Sequence, residues 1–157
     1  MIALRPITAE DDLFLAAVYA STRAEELAVT GWSDEDKAVF CRRQFDAQAA
    51  HYRENYPGAS FQVIERDGVS IGRLYVARWE KEIRIVDIAL LPEHRGTGIG
   101  TKLLRELQEE ARSVGKSLTI HVERFNPALR LYERLGFKQV EDKGVYLLMS
   151  WNCSGGL

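Results

Sequence analysis

The sequence predicts an α/β fold with a mixed sheet, and three observations carry that prediction. Segments of alternating or β-branched apolar residues are interleaved with segments of helical spacing, in the order strand, two helices, three strands, helix, strand, helix, two strands. The apolar strand Ile83–Leu91 turns through Gly96, Gly98 and Gly100 into a strongly one-sided helix. The 157 residues suffice for one domain with a full core, and 46 % hydrophobic and 28 % charged residues are ordinary for a globular protein.

Ile2–Pro6 alternates as a short strand, and Thr8-Ala9-Glu10-Asp11 has the composition of a helix start. Leu13, Leu15, Ala16, Val18 and Tyr19 supply the buried side expected of that first helix. Ser21 to Trp32 reads as a broken stretch punctuated by Gly31. Ser33 is a second N-cap, with Asp34, Glu35 and Asp36 in a first turn where the helix dipole favours them. Ala38, Cys41, Phe45, Gln48, Tyr52 and Tyr56 follow one face until Pro57-Gly58 ends the helix. Phe61–Glu65, a turn at Arg66-Asp67-Gly68, and Val69–Trp79 read as a hairpin ahead of the central strand. Beyond the glycines, Leu103, Leu104, Leu107, Ala111 and Val114 mark one helical face, closed by Gly115, and Ser117–Val122 alternates as a strand. Asn126-Pro127-Ala128 opens a last helix that ends at Gly136. Phe137–Glu141, a turn at Asp142-Lys143-Gly144, and Val145–Trp151 form a final hairpin, and the tail Asn152–Leu157 reads as frayed.

Net charge is −2, from 21 Lys and Arg against 23 Asp and Glu, so no global field calls for nucleic acid. The opening Met1-Ile2-Ala3-Leu4-Arg5-Pro6 is too short and too mixed for a signal peptide, and no apolar run approaches the roughly 20 residues of a membrane span. Cys41 and Cys153 have neither metal nor redox spacing. These features predict a cytoplasmic protein with reduced thiols, no metal, no nucleic-acid partner and no membrane.

A strand that turns through glycines into a helix presents backbone N–H groups and the positive end of the helix dipole, and both suit a phosphate. Spacing separates the candidate loops. A Walker A loop counted from Gly96 needs its second glycine where Thr101 stands. A dinucleotide fingerprint meets Thr101 when started at Gly96 and Leu103 when started at Gly98. What fits is Arg-x-x-Gly-x-Gly, at Arg95, Gly98 and Gly100. The alternative is a glycine-rich turn that binds nothing.

This loop resembles the pyrophosphate loop of the GNAT superfamily of N-acetyltransferases. A second segment, from Asn126-Pro127-Ala128 through Tyr132 to Gly136-Phe137, is similar to that family's Asn-x-x-Ala/Ser-x-x-x-Tyr-x-x-x-Gly-Phe pattern, with Ala128 one place off it. The resemblance covers Phe61 to Trp151. It implies a mixed, mostly antiparallel sheet of about seven strands flanked by about four helices, in a single domain. Residues 1–58 would be acceptor-side helices, 59–151 an acetyl-CoA-binding core and 152–157 a tail.

The resemblance also implies the chemistry. Acetyl-CoA is the acyl donor, its pyrophosphate held by Arg95, Gly96, Thr97, Gly98, Ile99, Gly100 and Thr101. Its pantetheine arm is held by the backbone of Ile88 and Ala89 and by Asn126, with Arg134 toward the nucleotide phosphates. A primary amine attacks the thioester directly, a backbone N–H at Leu90 meets the oxyanion, and Tyr132 protonates the leaving thiolate. Asn126 reads equally as a helix cap, and Tyr132 has a second reading as a core tyrosine. Asp87, the one carboxylate in an apolar strand, is the candidate base; its alternative is a pair with Arg84, Arg73 or Lys81. Some family members carry a strand glutamate three residues before Asp87, where this chain has Arg84, so Glu82, Glu25, Glu26 and a water chain are further candidates.

On the acceptor side, Glu25, Glu26 and Trp32 put carboxylates beside an aromatic ring, which suits a cationic amine. Two other readings stay open: a protein acetyltransferase, and a non-catalytic acyl-CoA-binding module. The strand Val145–Trp151 either pairs across a homodimer or finishes the monomer's own sheet.

Overall fold

The computed structural model describes residues 1–153; the rest of the segment read as a frayed tail, 154–157, lies outside the described residues. The elements are β1 (Ile2–Pro6), α1 (Asp12–Ala28), α2 (Asp34–Asn55), β2 (Ser60–Arg66), β3 (Val69–Arg78), β4 (Glu82–Leu90), α3 (Ile99–Val114), β5 (Ser117–Glu123), α4 (Leu129–Arg134), β6 (Lys138–Asp142) and β7 (Tyr146–Trp151). Single 3-10 turns at Ala9–Asp11 and Pro92–His94 precede α1 and follow β4. The order of elements is the one the periodicity predicts.

The strands form one sheet in the order β1-β2-β3-β4-β5-β7-β6. The pairs β1–β2, β5–β7 and β6–β7 are antiparallel, and β4–β5 is parallel. A parallel neighbour needs a long crossover, which α3 supplies. Since β7 lies between β5 and β6, the C-terminal hairpin finishes the chain's own sheet, and β6 is the outer strand.

The chain divides into two compact units, Met1–Tyr75 with Asp87–Arg95, and Val76–Val86 with Gly96–Leu157. In the first, Leu15, Tyr19, Phe45 and Val63 form a buried cluster with Ile7, Phe14 and Ala16 packed against it. Burying each of the larger aliphatic side chains stabilises the fold by about 1.5–3 kcal/mol. The entry to α1 is locked by Asp11, which accepts from the Thr8 backbone (2.8 Å) and from both terminal nitrogens of Arg5 (2.8 and 2.9 Å). In the second unit, α3 buries Ile99, Leu103, Leu104, Leu107 and Ala111 on one face, and Gly115, in the left-handed region, caps its end.

Three local expectations are corrected. α1 continues through Ser21 and Thr22 to Ala28, because their hydroxyls donate to Val18 O (2.7 Å) and Tyr19 O (2.6 Å) within the helix. Its buried face is Leu15, Val18, Tyr19 and Leu27, whereas Leu13 is 80 % exposed; on α2, Ala38 is exposed while Cys41 and Phe45 are buried. α4 begins at Leu129 rather than at Asn126, since the Asn126 side chain accepts from Ala128 N (2.8 Å) and so closes a turn containing Pro127 ahead of the helix.

Candidate functional site

Gly96 and Gly98 have φ of 71° and 87°, with no atom within 4 Å of where a side chain would begin, so glycine is required there by backbone conformation alone. Gly98 is the N-cap of α3, and the helix's first bond returns from Lys102 N to Gly98 O (3.0 Å). The N–H groups of Ile99, Gly100 and Thr101 precede that bond and have no intrahelical carbonyl to meet. Ile99 is buried and anchors the turn, while Gly96, Thr97 and Gly98 are exposed. This is the geometry of an anion-binding helix end.

Arg95, the last residue of the other unit, folds back along its own loop. Its Nε donates to Leu90 O (2.9 Å) and its Nη2 to Ser21 Oγ on α1 (3.2 Å). Two sequence candidates, Arg95 and Leu90, are thereby brought together. Ile88, Ala89 and Leu90 are half-buried at the end of β4. The β4–β5 ladder runs from Glu82–Ser117 to Ile85–Ile120, and β4 continues beyond its last pair through Val86 to Leu90.

Asp87 sits in a buried polar cluster of the first unit. Its Oδ2 accepts from Arg73 Nη2 (2.7 Å) and from the Tyr52 hydroxyl (2.8 Å). Arg73 Nη2 also donates to Gln48 Oε1 (2.8 Å), and its guanidinium lies 5.2 Å from the Tyr75 ring centre. Arg73 is only 2 % exposed, and its Nε has no hydrogen-bond partner among the described residues. Burial and the adjacent Asp87 charge push the Tyr52 hydroxyl well above its ordinary pKa, so it stays protonated and donates. Of the three pairs weighed from sequence for Asp87, the fold selects Arg73. Sequence reasoning missed Tyr52 and Gln48 as partners; the available signal was Arg73, an opposite charge inside the neighbouring apolar strand.

In the second unit, Tyr132 is buried, with its ring edge-on to Phe137 at 5.7 Å. Asn126 is exposed, and its side-chain oxygen is taken by Ala128 N, which leaves its amide nitrogen as the outward donor. Arg134 is exposed in the last turn of α4. Asn126 also lines an open pocket of about 570 Å³ with Arg124, Phe125, Pro127, Leu129, Arg130 and Glu133. On β4 and β5, Arg84 Nε donates to Thr119 Oγ1 (2.7 Å), and Thr119 Oγ1 donates to Glu82 Oε2 (2.6 Å). Arg84 Nη1 lies 3.2 Å from His121 Nδ1. Arg84 can only donate, so His121 Nδ1 accepts and its proton rests on Nε2, a buried atom with no hydrogen-bond partner among the described residues.

The acceptor-side candidates are engaged separately. Glu26 pairs with Arg23 (3.0 Å), Trp32 meets Phe40 edge-on at 5.4 Å, and Glu25 is exposed. No described helix is long and apolar enough to cross a membrane, and among the described residues no group of three or more His, Cys, Asp or Glu is placed to hold a metal ion.

Comparison with known proteins places these features in a family. Residues 17–137 match the model of the acetyltransferase (GNAT) family. The aminoalkylphosphonate N-acetyltransferase of Salmonella typhimurium is 31 % identical over an alignment of 132 residues that covers 71 % of this chain and 82 % of that protein. Streptothricin acetyltransferase of Streptomyces lavendulae is 35 % identical over 88 residues, 54 % of this chain but 47 % of that protein, so the match spans about half of that relative. Among solved structures, the PaiA N-acetyltransferase of Thermoplasma acidophilum in complex with coenzyme A superposes with a TM-score of 0.72 at 21 % identity, covering 97 % of this chain and 99 % of that one. That likeness concerns the fold. With a family model matched over most of its length and a 31 % identical relative of which it covers 82 %, the chain belongs to the GNAT family of acetyltransferases.

Proposed function

We propose that the protein moves an acetyl group from acetyl-CoA to a small primary amine by direct attack in a ternary complex. The observation that carries this reading is the succession, within fourteen residues of a GNAT chain, of a strand end that outruns its ladder and a glycine-capped helix end suited to an anion. Two relatives are named for an aminoalkylphosphonate and for streptothricin, which supports a small amine, and a third, of Sulfurisphaera tokodaii, is named an N-alpha-acetyltransferase, which supports a chain terminus; the competition experiment below decides between them.

In this reading the pyrophosphate meets the N–H groups of Ile99, Gly100 and Thr101 and the loop Arg95–Gly98. The backbone of Ile88 and Ala89 and the Asn126 amide nitrogen hold the pantetheine arm. The amine attacks the thioester carbonyl, whose oxygen becomes an oxyanion stabilised by the Leu90 N–H. The C–S bond breaks, the electron pair leaves with sulfur, and the Tyr132 hydroxyl supplies the proton that completes the thiol. The ammonium loses its proton to Asp87 Oδ1 or to water. Neither cysteine is needed as a nucleophile, and burial pushes the Cys41 thiol up, away from the thiolate form.

Calorimetric titration with acetyl-CoA beside ATP and NAD tests the donor: binding of acetyl-CoA alone supports the reading, and no binding of it overturns the reading. Tyr132→Phe then lowers kcat by about 100-fold or more with acetyl-CoA affinity retained; an unchanged kcat removes Tyr132 from the acid role. Competition between small amines and peptides for acetylation separates the two acceptor classes.

A further inference from the structure

We infer that Gly72 sets the aim of the Leu90 backbone N–H and is a positioning residue for acetyl transfer, an inference that rests on the proposed role of Leu90. Gly72 is buried in the interior of β3, where glycine weakens a strand by giving it no side chain to pack. Its neighbours explain it. A Cβ on Gly72 would fall far inside contact distance of Ala89 O, and within 3.0 Å of Leu90 Cδ2 and 3.1 Å of Leu90 Cα. The first of these is a backbone atom, so no rotamer change relieves it. The loop glycines differ: Gly96, Gly98 and Gly100 have open space where a side chain would begin.

The Ala89–Leu90 peptide is planar, with its C=O and N–H pointing in opposite directions. Its oxygen is turned onto Gly72 of β3, so its N–H, that of Leu90, is turned away from β3. The next peptide is fixed at both ends: Leu91 N–H donates to Ile71 O (2.8 Å), and Leu90 O accepts from Arg95 Nε (2.9 Å). At the other end of the hairpin, Trp79 N–H donates to Glu82 O (2.9 Å). Between these two bonds β3 advances eight residues, from 71 to 79, and β4 nine, from 82 to 91. β4 therefore carries one residue more than its partner, the arrangement of a β-bulge, which re-aims backbone groups. Gly72 is the position on β3 whose bare Cα admits the displaced backbone.

Gly72→Ala forces the Ala89–Leu90 peptide to rotate or withdraw, which spoils the oxyanion donor but leaves the pyrophosphate contacts in place. The expected result is a kcat lowered by about 100-fold or more, with the calorimetric Kd for acetyl-CoA changed by less than about threefold. A kcat within about threefold of wild type overturns the inference, and so does a folded variant that loses acetyl-CoA binding together with kcat. Adding Leu90→Ala to Gly72→Ala restores nothing if the clash is with the backbone oxygen; restored kcat overturns the inference.

Amide hydrogen exchange in the wild type decides the matter should Gly72→Ala fail to fold. The Leu90 amide exchanges rapidly beside a protected Leu91 amide and is slowed by the dethio ketone isostere of acetyl-CoA, with methylene in place of sulfur. Equal protection of the two amides in the free protein overturns the inference. The free-protein measurement reads the aim of the peptide independently of turnover. Failure of the proposed function, seen as no acetyl-CoA binding by the wild type, is thus distinguishable from failure of the aim.

Discussion

Asp87 and Arg84 lie three residues apart on β4, and each is enclosed in a different compact unit. Asp87 meets a full opposite charge, Arg73 at 2.7 Å, and one further donor, the Tyr52 hydroxyl at 2.8 Å. Arg84 meets mainly neutral groups: Thr119 Oγ1 at 2.7 Å, His121 Nδ1 at 3.2 Å and the Trp79 ring at 5.1 Å, with the Glu82 carboxylate only at 3.5 Å. The first is a tight ion pair that fails badly if one member is lost. The second is a distributed network in which Thr119 and Glu82 keep their own bond at 2.6 Å whatever happens to Arg84. One strand thus solves the problem of a buried charge in two ways.

The largest expected effect follows from the ion pair. Asp87→Ala leaves Arg73 buried without a counterion and destabilises the fold by about 3–5 kcal/mol in urea unfolding, whereas the double variant Arg73→Met/Asp87→Leu recovers most of that loss. A loss below about 1 kcal/mol for Asp87→Ala would erase the contrast between the two clusters. Arg84→Met comes next, at about 1–3 kcal/mol, because it removes hydrogen bonds without stranding a bare charge. A loss equal to that of Asp87→Ala would show that the network behaves as one unit.

The smallest effect is one of pH. Burial and the Arg84 charge depress the His121 pKa below its ordinary value near 6.5. The unfolded chain therefore binds the proton more readily than the folded one, and stability falls as pH drops below about 6.5 toward the folded value. His121→Gln flattens the dependence of Tm on pH between about 7.5 and 5; an unchanged slope assigns that dependence to other groups.

Legibility from sequence followed the range of the interaction. The seven strands, the Ser33 cap and the glycine turn are fixed by neighbours within a few residues, and all were readable. The end of α1 was misread because Ser21 and Thr22 look like helix breakers, while in the fold their hydroxyls bond the preceding turn. The partner of Asp87 was narrowed to three arginines and lysines but chosen only by packing, which also recruited Tyr52 from α2, 35 residues away. Gly72 gave no signal at all, because the atom that demands it, Ala89 O, is remote in sequence. Arg95 was legible as a loop residue, but its bonds to Leu90 O and Ser21 Oγ were not.

The short parallel ladder also has a consequence for the order in which the chain folds. β6 and β7 are joined by a turn of a few residues, so their pairing closes a small loop, whereas each β4–β5 pair, from Glu82–Ser117 onward, joins residues 35 apart. Going from a loop of about 5 residues to one of about 35 adds about 2 kcal/mol of closure entropy. It is met by four registered pairs, Glu82–Ser117 to Ile85–Ile120, which form once α3 has crossed over. By contact order, the hairpin forms early and the β4–β5 pairing late. The strand that bears Leu90 is thus secured to β5 by a pairing that the folding chain reaches only after the C-terminal hairpin has closed.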